Sequence, residues 1–191
     1  MGLSASGKTF QAKRISEHFG LRLVCGSDIL SSKFPIKPDP ARHDWLGDSG
    51  RLIEKFRDNT DLDRATDDYL LELARVTDNI IFDSWTVPWL YKERDLIRIY
   101  LNPTIDARVL MAIHSRDVTP YSETEMRLNI QKKDESSRVR FKQLYEFDCF
   151  SVKGFDIIFD NSESNPNETS DALIKRLNIE IERTTLTTSK G

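Results

Sequence analysis

The chain has little of what would mark it as a secreted, metal-centred or membrane protein. Cys25 and Cys149 are its only cysteines. They stand far apart with no C-x-x-C spacing, which excludes a disulfide framework or a thiolate zinc site and leaves two reduced, ordinary residues. His18, His43 and His114 are equally scattered, so no metal cluster is expected from them. Apolar runs such as "NIIFD" and "FDIIF" are strand-sized, far from the ~18 residues that would cross a bilayer. There is no excess of positive charge either: 28 Lys and Arg stand against 31 Asp and Glu, a net charge of −3. A polyanion would meet no global attractive field, so nucleic acid is not an expected partner. The N-terminus carries no basic segment followed by an apolar one, and a cytoplasmic location is expected. With 191 residues, one domain around one core is the default.

What is present begins at once. Residues 2 to 9, "GLSASGKT", fit G-x-x-x-x-G-K-[ST]. Gly2 and Gly7 permit the backbone angles that turn successive N–H groups toward one anion, and a helix opening near Lys8 adds its positive end. Such a loop holds a triphosphate, with Lys8 reaching the terminal phosphates and the Thr9 hydroxyl ligating Mg²⁺. In a phosphate-loop fold a buried strand precedes this motif, whereas here only Met1 does. The first strand is therefore expected to be missing from this sequence, with the natural start a few residues upstream.

Along the chain, apolar periods alternate between those of helices and strands. "KTFQAKRISEHF" reads as a helix stopped by Gly20, "LRLV" as a strand, and "GSDIL" as a second helix capped by Ser27 or Asp28. Residues 31 to 50, broken by prolines and charges, read as an irregular excursion. Helical spacing returns through Leu62, Ala65, Tyr69, Leu73 and Val76. "NIIFD" and "LIRIYL" read as strands, followed by a helix that packs Ile105, Val109, Ala112 and Ile113 on the sheet. Ser122 and Glu125 form a capping-box signature for a helix reaching toward "KQLYEF". Its middle, "QKKDESSRVR", is almost wholly polar, the mark of an exposed segment. "FDIIFD" is a last strand. Asn165, Pro166 and Glu168 open a last helix, and residues 183–191 read as a disordered tail.

Strands alternating with helices predict an α/β fold, a parallel sheet covered on both faces, with ligands at the carboxyl ends of the strands. There Asp83, closing "NIIFD", is either a carboxylate beside a metal ion and its water or a plain turn residue. Arg116, Lys133, Arg138 and Arg140 gather in and around the polar helix, as transfer-site cations or as solvated surface charge. Trp85 and Trp89 read as core packing or, for transfer to a neutral acceptor, as a stacking surface.

These residues resemble the nucleoside monophosphate kinases, and among them the archaeal-type cytidylate kinases. The likeness spans nearly the whole chain. "GLSASGKT" looks like that family's phosphate loop, "LRLVCGSDIL" like its strand and turn into the monophosphate-binding helix, and "DLDRATDDY" like its base-side helix. "NIIFDSWTVPW" is similar to its central strand and acidic residue. "KKDESSRVRFKQLYEFD" with "FDIIFDNS" resembles its lid helix and closing strand.

The resemblance implies a three-layer α/β/α phosphate-loop domain over residues 1–182. Its parallel sheet would be five-stranded, with a monophosphate-binding insertion at about 31–60 and a lid at about 115–140. It implies transfer from ATP to CMP or dCMP by a monomeric enzyme with Mg²⁺. Gly2, Ser4, Ala5, Ser6, Gly7, Lys8 and Thr9 would bind ATP, and Thr9 and Asp83 would hold the metal. Ser27, Asp28 and Asp83 would face the acceptor, and Lys8, Arg116, Lys133 and Arg140 would act in transfer. Three acceptor-side arginines of the family are absent: serines follow Asp28 in "DILSS", Trp85 stands after the acidic residue, and Asp68-Tyr69 occupies the base-side position. The acceptor then differs from CMP, or Arg42, Arg51 and Arg57 supply the charge, or transfer has been lost.

Overall fold

The computed structural model describes residues 1–32, 60–93, 96–115 and 121–188. Helix α1 (Lys8–Phe19) starts inside the glycine-rich motif and ends as its sequence predicts, with Gly20 at φ 65° donating its N–H to the Ser16 carbonyl. Strand β1 (Arg22–Cys25) follows, then helix α2 (Gly26–Ser32). Because α2 already begins at Gly26, Ser27 and Asp28 lie within its first turn and do not cap it. Helix α3 (Thr60–Val76), strand β2 (Ile80–Asp83), the single turn α4 (Val87–Leu90) and strand β3 (Ile99–Leu101) come next. Helices α5 (Ile105–His114) and α6 (Glu123–Tyr145), strand β4 (Ile157–Phe159) and helix α7 (Pro166–Thr188) complete the order.

Both ladders are parallel, as the alternation of elements requires. In β1 and β2, Cys25 lies opposite Asp83; in β3 and β4, Leu101 lies opposite Phe159. The expected five-stranded sheet is not formed by the described residues, which give four strands in two separate pairs. Residues 1 and 2 attach to one pair alone. The Met1 nitrogen donates to the Ile99 carbonyl at 2.7 Å, Leu101 N–H donates to the Met1 carbonyl at 2.9 Å, and Gly2 bridges Leu101 in parallel. Their hydrogen bonds hang the loop of residues 2 to 9 on the carboxyl end of β3.

Side chains alternate across the strands, so both faces are covered. Ile81, Ile99 and Leu101 pack with Ile15 of α1 and Leu173 and Leu177 of α7. On the other side, Ile80 and Phe82 join Leu70 and Ala74 of α3, and Tyr100 joins Phe141 of α6, Trp85 and Trp89. Both tryptophans are thus core packing, and both cysteines are free.

Two helices present other faces than their apolar spacing suggests. In α3 the buried residues are Asp63, Thr66, Asp67, Leu70 and Ala74, whereas Tyr69 is 48% and Val76 70% exposed. The physical reason is that Asp63 and Asp67 find partners on α6, so carboxylates turn inward and the stripe rotates with them. In α6 the polar middle is not wholly exposed: Asp134 and Ser137 are buried on one line with Met126, Ile130 and Phe141. Helix α5 does bury Val109 and Ala112, but against Met126 and Ile130 of α6 rather than on a strand. The capping box of Ser122 and Glu125 is formed in full. At its start α7 is capped as expected, by the Asn165 side chain and by Glu168 returning to the Asn165 N–H, and it runs through Thr188, past the point where a tail was expected. Most of the expected insertion (33–59), with Arg42, Arg51 and Arg57, lies outside the described residues, as does Arg116.

Candidate functional site

The loop of residues 2 to 9 is shaped by two left-handed residues. Gly7 caps α1 at φ 81°, and Ala5 holds φ 60° in spite of its side chain. Gly2 is required for a different reason: a Cβ there would stand 2.5 Å from the Ser6 hydroxyl and 2.8 Å from the Leu101 carbonyl oxygen. The strand and the loop therefore approach as closely as bare backbone allows.

Three loops meet at the carboxyl ends of the strands. Thr9, one residue into α1, donates its hydroxyl to Asp83 Oδ2 at 2.6 Å, joining the loop to the end of β2. Lys8 Nζ donates to the Leu3 carbonyl at 3.3 Å and stands 5.3 Å from the centre of the Trp85 ring. Burial pushes the Lys8 ammonium below its usual pKa, with Asp83 and then Asp134 pulling the other way. Cys25, next to Asp83 across the ladder, has its thiol raised to about 12 by burial first, then by Asp83 and Asp28. Asp28 and Ser27 are exposed beside this point.

The hydroxyl of Thr9 and the amine of Lys8 on the loop, with the Asp83 carboxylate at the end of β2, form a donor set that suits a metal-bound polyphosphate. Beneath it, the Ser4 and Ser6 hydroxyls are buried without a hydrogen-bond partner. Asn161, after β4, donates Nδ2 to the Ser6 carbonyl at 3.2 Å. Ser4 is otherwise placed than its motif suggests: its N–H donates to Asp134 Oδ1 at 2.9 Å, into the protein.

The expected transfer cations divide. Arg140 is paired at 2.8 Å with the buried Asp63 of α3. Lys133 is half-buried on α6, and Arg138 grips Asp148 with two nitrogens at the rim of α6. Asp67 accepts from Thr86 Oγ1 and from the Tyr145 hydroxyl, both at 2.6 Å, so α3, α6 and the loop after β2 share one carboxylate. Arg108, Asp134, Asp63, Asp67 and Asn161 are absent from the sequence expectation. Asp134 falls within the polar segment that reads as exposed, yet it stands on one line with the buried Met126, Ile130 and Phe141.

The family model described as "Cytidylate kinase-like family" matches residues 2–163. The chain belongs to the cytidylate kinase-like family. Kinship with kinases places it among the phosphotransferases. It is 28% identical over 178 residues to a cytidylate kinase of Sulfurisphaera tokodaii, covering 93% of each chain. With a cytidylate kinase of Sulfolobus acidocaldarius it shares 28% over 173 residues, 91% of this chain and 89% of the relative. A crystal structure of an uncharacterised protein from Eubacterium ventriosum aligns with a TM-score of 0.66 at 14% identity, over 93% of this chain and 94% of that one. That likeness shows a shared fold, a mixed α/β architecture with parallel strands. Among the described residues, no helix is long and apolar enough to cross a membrane.

Proposed function

We propose that this member of the cytidylate kinase-like family transfers the terminal phosphoryl group of ATP to a nucleoside monophosphate, CMP or dCMP first among acceptors. The observation that carries the reading is the convergence of Lys8 and the Thr9–Asp83 pair on one glycine-shaped loop at the head of α1. Together with the cytidylate kinase relatives, it supports a single kinase domain carrying a monophosphate-binding insertion and a lid.

In this reading the loop residues Gly2, Ala5, Ser6, Gly7, Lys8 and Thr9 embrace the triphosphate and Ser4 shapes the loop. Thr9 and Asp83 would hold Mg²⁺, which when bound offsets charge between the donor phosphates. Lys8 releases Leu3 and Trp85 to reach the terminal phosphates. An oxygen of the acceptor phosphate attacks the γ-phosphorus while the bond to ADP breaks, so alignment and charge compensation carry the step and no general base is demanded. Ser27 and Asp28 border the acceptor side, and Arg116, Lys133 and Arg140 supply positive charge over the transferring group. For Arg140 this means exchanging Asp63 for phosphate.

That exchange favours a second reading. Arg140 is already paired with the buried Asp63, and three acceptor-side arginines of the family are replaced, which suits a nucleotide-binding module without transfer. Counting ADP formed from Mg-ATP with CMP, dCMP, UMP, AMP and neutral sugars separates the two. Acceptor-stimulated ADP is expected with CMP or dCMP, and Lys8→Ala should lower it by about 10² or more. Binding of Mg-ATP with no acceptor-stimulated ADP would leave the module reading standing instead.

A further inference from the structure

We infer that Asp134 and Arg108, two residues outside the phosphate loop, are the positioning pair that sets its shape by holding both backbone polar groups of Ser4. The inference rests on the nucleotide-binding reading above and concerns how that loop is made competent. Asp134 Oδ1 accepts the Ser4 N–H at 2.9 Å, and Arg108 Nη1 donates to the Ser4 carbonyl at 3.1 Å. The same Arg108 nitrogen donates to Asp134 Oδ2, which closes the triangle. Their side chains are only 8% and 3% exposed, and they come from α5 and α6, far from Ser4 in sequence.

Burying two charges costs more desolvation than their attraction reliably returns, so such a pair is weak as a stabiliser and better explained by geometry it enforces. The geometry here is specific. Ala5, the next residue, is held at φ 60°, a conformation that a residue with a Cβ keeps only when its surroundings over-determine it. Fixing Ser4 on both sides provides that constraint and sends the following residues into the turn before Gly7. The network accepts a flaw to do so, because Arg108 Nε and Ser4 Oγ remain buried without partners. The pair is neutral as a whole, so it adds no net charge beneath an incoming triphosphate. Both residues hydrogen-bond the loop at Ser4, and their charges act on Lys8 with opposite signs.

The test compares Asp134→Ala with Asp134→Asn in the full chain, measuring Mg-ATP dissociation constants by titration calorimetry alongside Tm. Both variants lose the charge, but the Asn amide oxygen still accepts from Ser4. Asp134→Ala should bind Mg-ATP at least about tenfold more weakly, the size of one lost charge-assisted hydrogen bond, whereas Asp134→Asn should stay within about threefold. Equal losses in the two would mean that the ion pair merely stabilises the fold, and unchanged affinity in Asp134→Ala would remove any role at the loop; either result overturns the inference. Wild-type protein that binds no Mg-ATP would instead defeat the nucleotide reading itself. Should Asp134→Ala not fold, amide exchange in the wild-type chain decides. The Ser4 N–H should be protected without nucleotide and little changed by Mg-ATP, and exchange at the rate of a free peptide would overturn the inference.

Discussion

Lys8, proposed to bind the triphosphate, opposes the stability of its own fold. Burial lowers its pKa from the ordinary 10.5, and Asp83 and Asp134 offset only part of that. The unfolded chain therefore holds the proton more tightly than the folded one. Its burial counts against folding in full below the folded pKa, and the penalty fades as pH rises from there toward 10.5. Lys8→Met should accordingly melt a few degrees above wild type at pH 7, with the gap closing as the pH approaches 10.5, while losing Mg-ATP binding. A gap that widens with pH would show the sign to be wrong. Trp85 offers a second readout at this scale, since the Lys8 ammonium sits 5.3 Å from its ring centre. Mg-ATP should draw Lys8 off the ring and change tryptophan emission, and Trp85→Phe should remove most of that change while Trp45 and Trp89 remain as background.

At the scale of elements, α6 is the part on which most of the site depends. Its N-terminus is fastened by the reciprocal bonds of Ser122 and Glu125, which also hold the Glu125 carboxyl below the usual carboxylate range. Ser122→Ala should cost about 1 kcal/mol in urea unfolding, the usual size of a lost N-cap. Further along, α6 presents Asp134 to the phosphate loop, Arg140 to Asp63 and Tyr145 to Asp67. Asp63→Ala takes the carboxylate away from the buried Arg140–Asp63 pair and should lose about 3 kcal/mol. The bounds and capping of α6 were legible in "YSETE", because a capping box is a local bond pattern. The inward turn of Asp134 and Ser137 was not, because a polar residue reads as exposed until its partner on another element is known. The same limit rotated α3: its apolar spacing marked one stripe, and two carboxylates satisfied by Arg140, Tyr145 and Thr86 buried another.

Across the whole molecule, the parallel pairing sets the ends of β1 and β2 side by side, and the loop of residues 2 to 9 joins them to the end of β3. A ligand bound at those ends touches the folded chain alone, so it shifts the unfolding equilibrium by mass action. Mg-ATP at a hundred times its dissociation constant should stabilise the protein by about 2.7 kcal/mol. Differential scanning calorimetry should register that as a clear rise in Tm, and its absence would count against a formed phosphate loop.

The sequence by itself determined what short-range chemistry fixes. That covers the glycine-lysine-threonine loop opening α1, the left-handed stop at Gly20, the caps of α6 and α7, and the alternation that makes the ladders parallel. Each is decided within a few residues by backbone angles or by a local hydrogen bond. Tertiary structure alone decided which polar groups are buried and what they hold. Ser4 is clasped by residues 104 and 130 positions away, and Arg140 meets Asp63 across 77. Such pairings depend on long-range packing that brings helices against one another, and no periodicity along the chain encodes which carboxylate will meet which cation.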